Sequence, residues 1–185
     1  MVLRYFSRIG MSKKVFAILG LTLVGIAGRL IPHIPNATPI TAITITARRY
    51  VGDTWAFVIT LAAMAVSDVF IGLYNWHIMA SVYLSFVLIA CMSSVVKKHT
   101  SPIGIVVLAA FSSLVFFLVT NFAVWMFSPW YAKSIWGLLY CYELGIPFLR
   151  SMLLGDIVYT TLLLGAFEFA RLKIPTRRIA VTSLA

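Results

Sequence analysis

The sequence predicts an all-α integral membrane protein, a compact bundle of six transmembrane helices with both chain ends in the cytoplasm. Composition is the first sign. Of 185 residues, 62% are hydrophobic and only 11% charged, where a soluble domain averages roughly 45–50% and about 25%. A chain this small exposes too much surface to hide that surplus in a core, so apolar side chains must face lipid. The second sign is length: apolar runs recur at the ~20 residues a helix needs to cross ~30 Å of hydrocarbon. The third is charge, because Lys and Arg fall in groups that fit on one side of a membrane.

The first run, 15–31, follows Lys13 and Lys14 as a signal peptide would. No Ala-x-Ala-type cleavage site closes it, and further apolar runs follow, so it reads as a retained helix. Strong spans follow at 54–73, 78–96, 103–125 and 149–170. The segment 38–51 (TPITAITITARRYV) is shorter and rich in threonine, and by size alone it suits a re-entrant element as well as a crossing. Charge favours the crossing: for the basic groups at 4–14, 48–49, 97–98 and 171–178 to share one side, the chain must pass twice between Lys14 and Arg48. Its threonine hydroxyls can bond back to the helix backbone, which makes them tolerable on a buried face. Tight connections predict antiparallel neighbours, with one long outer stretch from Trp125 to Arg150. Residues 1–173 form one domain, and 174–185 read as a basic cytoplasmic tail.

With this topology, Arg4, Arg8, Lys13, Lys14, Arg48, Arg49, Lys97, Lys98, Arg171, Lys173, Arg177 and Arg178 lie inside with Asp53 and Glu168. Arg29, Lys133 and Arg150 lie outside with Asp68, Glu143 and Asp156. The entire net charge of +10 then belongs to the inner face. It is a topology signal that needs no nucleic-acid partner, and anionic lipid suits such a face. The expected setting is the bacterial cytoplasmic (inner) membrane.

Polar groups at membrane depth are expensive unless paired or facing water, so their positions point to function. They gather at the outer end. Asn36 and Thr38 open the second span; Asp68 lies near the outer end of the third; Tyr74 and Asn75 belong to the loop GLYNWH at 72–77. Asn121 and Trp125 close the fifth span, Tyr140 and Tyr142 lie in the long outer stretch, and Asp156 sits about two turns into the last span. Together they suggest an aromatic cup with amides and carboxylates at its floor, the usual make-up of a small-molecule site, where flat ligands stack on rings. Plainer roles compete. Trp and Tyr anchor membrane boundaries, Asp68 and Asp156 can pair with Arg150 or Lys133, and Asn121 can bond a neighbouring helix. Cys91 and Cys141 match no metal or redox spacing. No Gly-x-Ser-x-Gly, His-Glu-x-x-His or Walker motif occurs, so neither a catalytic set, a metal nor a cofactor is expected.

Four segments carry a resemblance: NATPITAI at 36–43, AMAVSDVFIGLYN at 63–75, FFLVTNFAVW at 116–125 and GLLYCYELGIPFLRSMLLGDIVYTTLLLGAFE at 137–168. They resemble an uncharacterised bacterial family of transport proteins, itself similar to the substrate-binding S components of energy-coupling factor (ECF) vitamin transporters. The resemblance implies a six-helix fold with an extracytoplasmic pocket and a first outer loop, about 31–39, acting as a lid. It implies a vitamin-like substrate taken up alone or with a coupling subunit and ATPases. The first helix departs from the family's Ala-x-x-x-Ala docking pattern, carrying Gly20, Gly25, Ala27 and Gly28 instead. The expected function is therefore small-molecule uptake rather than catalysis. The rivals are a membrane enzyme acting on a lipid or isoprenoid carrier at the outer leaflet, and an assembly subunit of a larger complex.

Overall fold

The structure is a computed structural model that describes residues 13–32, 34–96 and 100–173. The predicted tail at 174–185, Arg4, Arg8, Lys97, Lys98 and His33 lie outside the described residues. Among the described residues six α-helices run α1 Lys13–Leu30, α2 Ile40–Tyr50, α3 Asp53–Ile71, α4 Trp76–Met92, α5 Pro102–Phe127 and α6 Ile135–Lys173, with a 3₁₀ turn at Ser93–Val95 after α4. Four stretches of the described residues are long and apolar enough to cross a membrane: Asp53–Ile71, Trp76–Val95, Pro102–Phe127 and Ile135–Ala170. α1 spans 18 residues with Lys13 and Lys14 at one end and Arg29 at the other. The outward faces remain apolar, with Leu23, Val69, Phe70, Ile103 and Leu162 all exposed, as a lipid-facing surface requires.

The short helix is the centre of the molecule. α2 packs against each of the other five helices, while α1 and α6 barely touch one another. Every residue from Ile40 to Ala47 is buried. At 1.5 Å per residue its 11 residues reach about 16 Å, roughly half the hydrocarbon thickness. The segment expected as a second crossing is thus a half-length post inside the bundle. Its threonines fit that place: the Thr44 hydroxyl donates to the Ile40 carbonyl at 2.7 Å and shares a 2.6 Å hydrogen bond with Thr60 of α3. Around it pack Leu21, Ile59, Met64, Phe86, Ile89, Phe116 and Met152. Gly25 allows α1 close enough that a Cβ there would stand 2.5 Å from the Ile43 side chain.

Arg48 and Arg49 end α2 and tie one end of the bundle together. Arg48 pairs with Asp53 and donates to the Ser94 carbonyl at 3.2 Å. Arg49 donates to the Thr100 carbonyl at 2.8 Å and to Glu168 of α6 at 3.3 Å, and the Tyr50 hydroxyl donates to the same carboxylate at 2.6 Å. The turn into α3 passes through Gly52 at φ 127°, a conformation that favours glycine.

The outer stretch expected as a long loop is mostly helix. A connection at 128–134 leads straight into α6, which continues through Pro147 for 39 residues. Pro147 removes one helical donor without ending the helix. Gly145 brings this part of α6 hard against α5, since a Cβ there would lie 2.6 Å from Asn121 Oδ1 and 2.8 Å from Phe117.

Candidate functional site

Because α2 stops half-way, the end of the bundle away from Arg48 and Arg49 is hollow. A cavity of about 320 Å³ opens beside the start of α2, lined by Arg29, Asn36, Thr38, Tyr74 and apolar groups that include Ile40, Ile71, Phe86 and Met152. A second, of about 310 Å³, lies alongside and includes Thr120, Asn121, Trp130, Tyr131, Cys141 and Phe148 in its wall. Asn36, Val82 and Phe116 line both, so the two adjoin.

The linker from α1 to α2 bounds these cavities and is held by two glycines. A Cβ on Gly28 of α1 would lie 2.3 Å from the Pro39 ring, and one on Gly155 of α6 would lie 2.9 Å from Ala37 Cα. The linker therefore occupies the gap that α1 and α6 leave between them. It turns at Ile34, whose carbonyl accepts from Ala37 N–H at 3.0 Å. Asn36 adopts φ 63°, a left-handed conformation that Asn tolerates better than most residues.

Arg29 is the charged group of the first cavity. Its Nη1 donates to the Ser67 hydroxyl at 2.7 Å and to the Met64 carbonyl at 3.1 Å. Its Nη2 forms an ion pair with Asp68 Oδ1 at 2.6 Å, a contact close in distance that leaves Oδ1 without an aligned hydrogen bond. Tyr83 donates to the other Asp68 oxygen at 2.7 Å. Burial, and after it the Asp68 carboxylate, pushes the Tyr74 phenol above its ordinary value of 10.0, so Tyr74 stays a neutral donor and acceptor at the cavity wall.

The sequence-predicted residues separate into two groups. Asn36, Thr38 and Tyr74 line the first cavity, and Asn36 and Asn121 the second. Asn121 also donates from Nδ2 to the Phe117 carbonyl at 2.9 Å. The others are engaged elsewhere. Asp68 is buried behind Arg29, which takes the place expected for Arg150. Asn75 caps α4 by accepting from His77 and Ile78 N–H. Asp156 is buried between helices, accepting from Ser113 of α5 at 2.7 Å, and it pairs with neither Arg150 nor Lys133.

The aromatic cup also takes a different form. Trp125 Nε1 donates to the Ala132 carbonyl at 2.9 Å, with Lys133 Nζ over its ring at 5.9 Å. The Tyr142 hydroxyl donates to the Leu118 carbonyl at 2.8 Å, and Tyr140 meets Tyr131 edge to face at 6.2 Å. These three brace the α5–α6 corner outside the cavities, whose aromatic walls are Tyr74, Phe86, Phe116, Trp130, Tyr131 and Phe148. Sequence reasoning left Arg29 out of the site. Its signal was a lone basic residue close to the end of an apolar run, where a buried acidic partner is the alternative to an interfacial position.

Among the described residues, no group of three or more His, Cys, Asp or Glu side chains is placed to hold a metal ion. The arrangement offers chemistry for holding a ligand: one guanidinium, amide and hydroxyl groups, and apolar walls. No curated protein and no solved structure matches the chain. A family model does match it over residues 10–177, and the chain belongs to that family, DUF6580, a family of unknown function.

Proposed function

We propose that the protein is a membrane uptake protein of S-component type, taking a small vitamin-like molecule from the extracytoplasmic side. In this reading it binds rather than makes bonds. All six helices belong to the membrane domain, both termini are cytoplasmic, and the Arg48/Arg49 end faces the cytoplasm of a bacterial inner membrane. Transport proceeds alone or through an ECF-type coupling subunit with ATPases. The observation that carries the reading is the pair of adjoining cavities at the end opposite the arginines, one of them beside the start of the half-length helix α2. A hollow with apolar walls and a few placed polar groups is the usual form of a small-molecule site. The linker bounding it supports the reading too, since it is the segment through which a ligand entering from that end would pass.

The test is native mass spectrometry of the protein purified in mild detergent from its own host, paired with uptake of the identified molecule by cells that express the chain. A retained small molecule, lost in Asn121→Ala and Thr38→Val variants that still fold, and accumulated by expressing cells, is the expected result. Protein that is repeatedly empty, with melting unmoved by a panel of vitamins and metals, would overturn the reading in favour of an assembly subunit. Turnover of a lipid substrate would overturn it in favour of an enzyme.

A further inference from the structure

We infer that the site takes a monocarboxylate with a compact apolar or aromatic body, its carboxylate against Arg29 and its body among the apolar walls. This rests on the binding reading above and narrows it to a chemical class. Three features of the first cavity point the same way.

The first is the charge of the lining. Arg29 is the only charged side chain lining either cavity among the described residues, because Asp68 stands behind it, 3% exposed. The second is unspent donor capacity. Arg29 uses Nη1 on Ser67 and Met64. Its Nε and Nη2 make no aligned hydrogen bond among the described residues, although Asp68 holds Nη2 electrostatically. Nε, which among these residues has neither a hydrogen bond nor the ion-pair contact of Nη2, remains to give a carboxylate a charge-assisted N–H bond. The third is the start of α2. The first intrahelical bond there runs from Ile43 N–H to the Pro39 carbonyl at 2.9 Å. The N–H groups of Ile40, Thr41 and Ala42 therefore have no helical acceptor, and Pro39 supplies no side-chain cap. This end carries the positive pole of the helix, and Ile40 lines the same cavity. It adds the positive potential that an anion needs beside an arginine already paired with Asp68.

The remaining wall sets the body of the ligand. Ile71, Val82, Phe86, Phe116 and Met152 give one apolar chamber, and Trp130, Tyr131 and Phe148 extend it into the next. A second carboxylate would find no second cation there, and a polyhydroxylated body would trade its water for the few amides and hydroxyls of Asn36, Thr38, Tyr74, Thr120 and Asn121.

The experiment compares three probes of one shape, 4-phenylbutyrate, 4-phenylbutyramide and 4-phenylbutylamine, by thermal shift and calorimetry on the full chain in nanodiscs. The carboxylate should bind about tenfold or more tighter than the amide, as charge-assisted hydrogen bonds predict, and the amine should not bind. The doubly neutral variant R29Q/D68N removes both charges together and should bind acid and amide alike. Arg29→Lys keeps the ion pair but loses the fork, so it should weaken the acid and leave the amide unchanged; it serves if the double variant does not fold. Equal binding of the three probes, no binding by any of them at their solubility limits, or a preference for the acid that is undiminished in these variants overturns the inference. The two readings fail separately. Carboxylate binding without uptake sinks transport and keeps the ligand class; uptake of a retained molecule with no carboxylate does the reverse.

Discussion

Arg29 of α1 and Asp68 of α3 meet at 2.6 Å with side chains only 15% and 4% exposed, which makes them a buried ion pair joining two helices and one wall of the cavity. Removing one partner strands the other, at a cost of about 3–5 kcal/mol. Asp68→Asn and Arg29→Gln should each lower the unfolding midpoint in detergent strongly, and the double variant should recover most of the loss. Additive losses in that double-mutant cycle would show the two residues to be uncoupled.

The linker's seat predicts a contrast among glycines. Gly28→Ala drives a methyl group into Pro39 and Gly155→Ala drives one into Ala37, whereas nothing lies within 4 Å of a Cβ at Gly20. The first two should cost about 1–3 kcal/mol from overpacking and weaken ligand binding by displacing Asn36. Gly20→Ala should be neutral or stabilise by roughly 0.5–1 kcal/mol. Thermal unfolding of the three variants, measured side by side, checks this; equal melting would remove the argument that the linker is wedged in place.

Asp156 is 1% exposed, with Ser113 donating to it at 2.7 Å. Asparagine keeps an acceptor oxygen at nearly the same volume, so Asp156→Asn should stay within about 1 kcal/mol of the parent. Alanine leaves the Ser113 hydroxyl to its weaker bond with the Ala109 carbonyl, 3.3 Å, and should cost about 1–3 kcal/mol. Because Asp156 lines neither cavity, ligand affinity in the asparagine variant should be unchanged. A large loss of affinity with intact folding would instead put this carboxyl in the site.

At the other end, the Arg49–Glu168 pair is partly open to solvent, Glu168 being 40% exposed. Glu168→Gln keeps an acceptor for Tyr50 and should cost no more than ~1 kcal/mol. Arg49→Ala also gives up the bond to the Thr100 carbonyl and should cost more. Unfolding in low and high salt separates the two, since added salt should narrow the gap between parent and Glu168→Gln.

The helices were legible in the sequence because apolar length and basic flanks register locally. The ends of α3 and α5 fall within two residues of the predicted spans. α6 was not legible in full: Gly145 and Pro147 look like a helix end, and only contact with Phe117 and Asn121 shows that Gly145 is there for close packing. Thr41, Thr44 and Thr46 signalled a buried face, but not that every side of α2 would be covered. At the site, Asn36, Thr38, Tyr74 and Asn121 could be chosen as polar groups near one end of the spans. The pairing of Arg29 with Asp68 could not, because it depends on how α1 is rotated against α3, which no local pattern records. The same holds for Trp125 and Tyr142, whose composition suits a ligand wall but whose polar atoms go to the Ala132 and Leu118 carbonyls.

α2 also bears on how the protein is made. A segment of 11 residues with three threonines and two arginines has little to gain from hydrocarbon by itself, yet it ends up touching every other helix. Its resting place is incomplete until α6, the last of the described helices, has joined the other four around it. Until then it must wait at the membrane surface or in the shelter of α1 and α3. Biogenesis thus finishes in the middle of the molecule, and a nascent chain stopped before α6 would expose a segment that quality-control proteases can recognise.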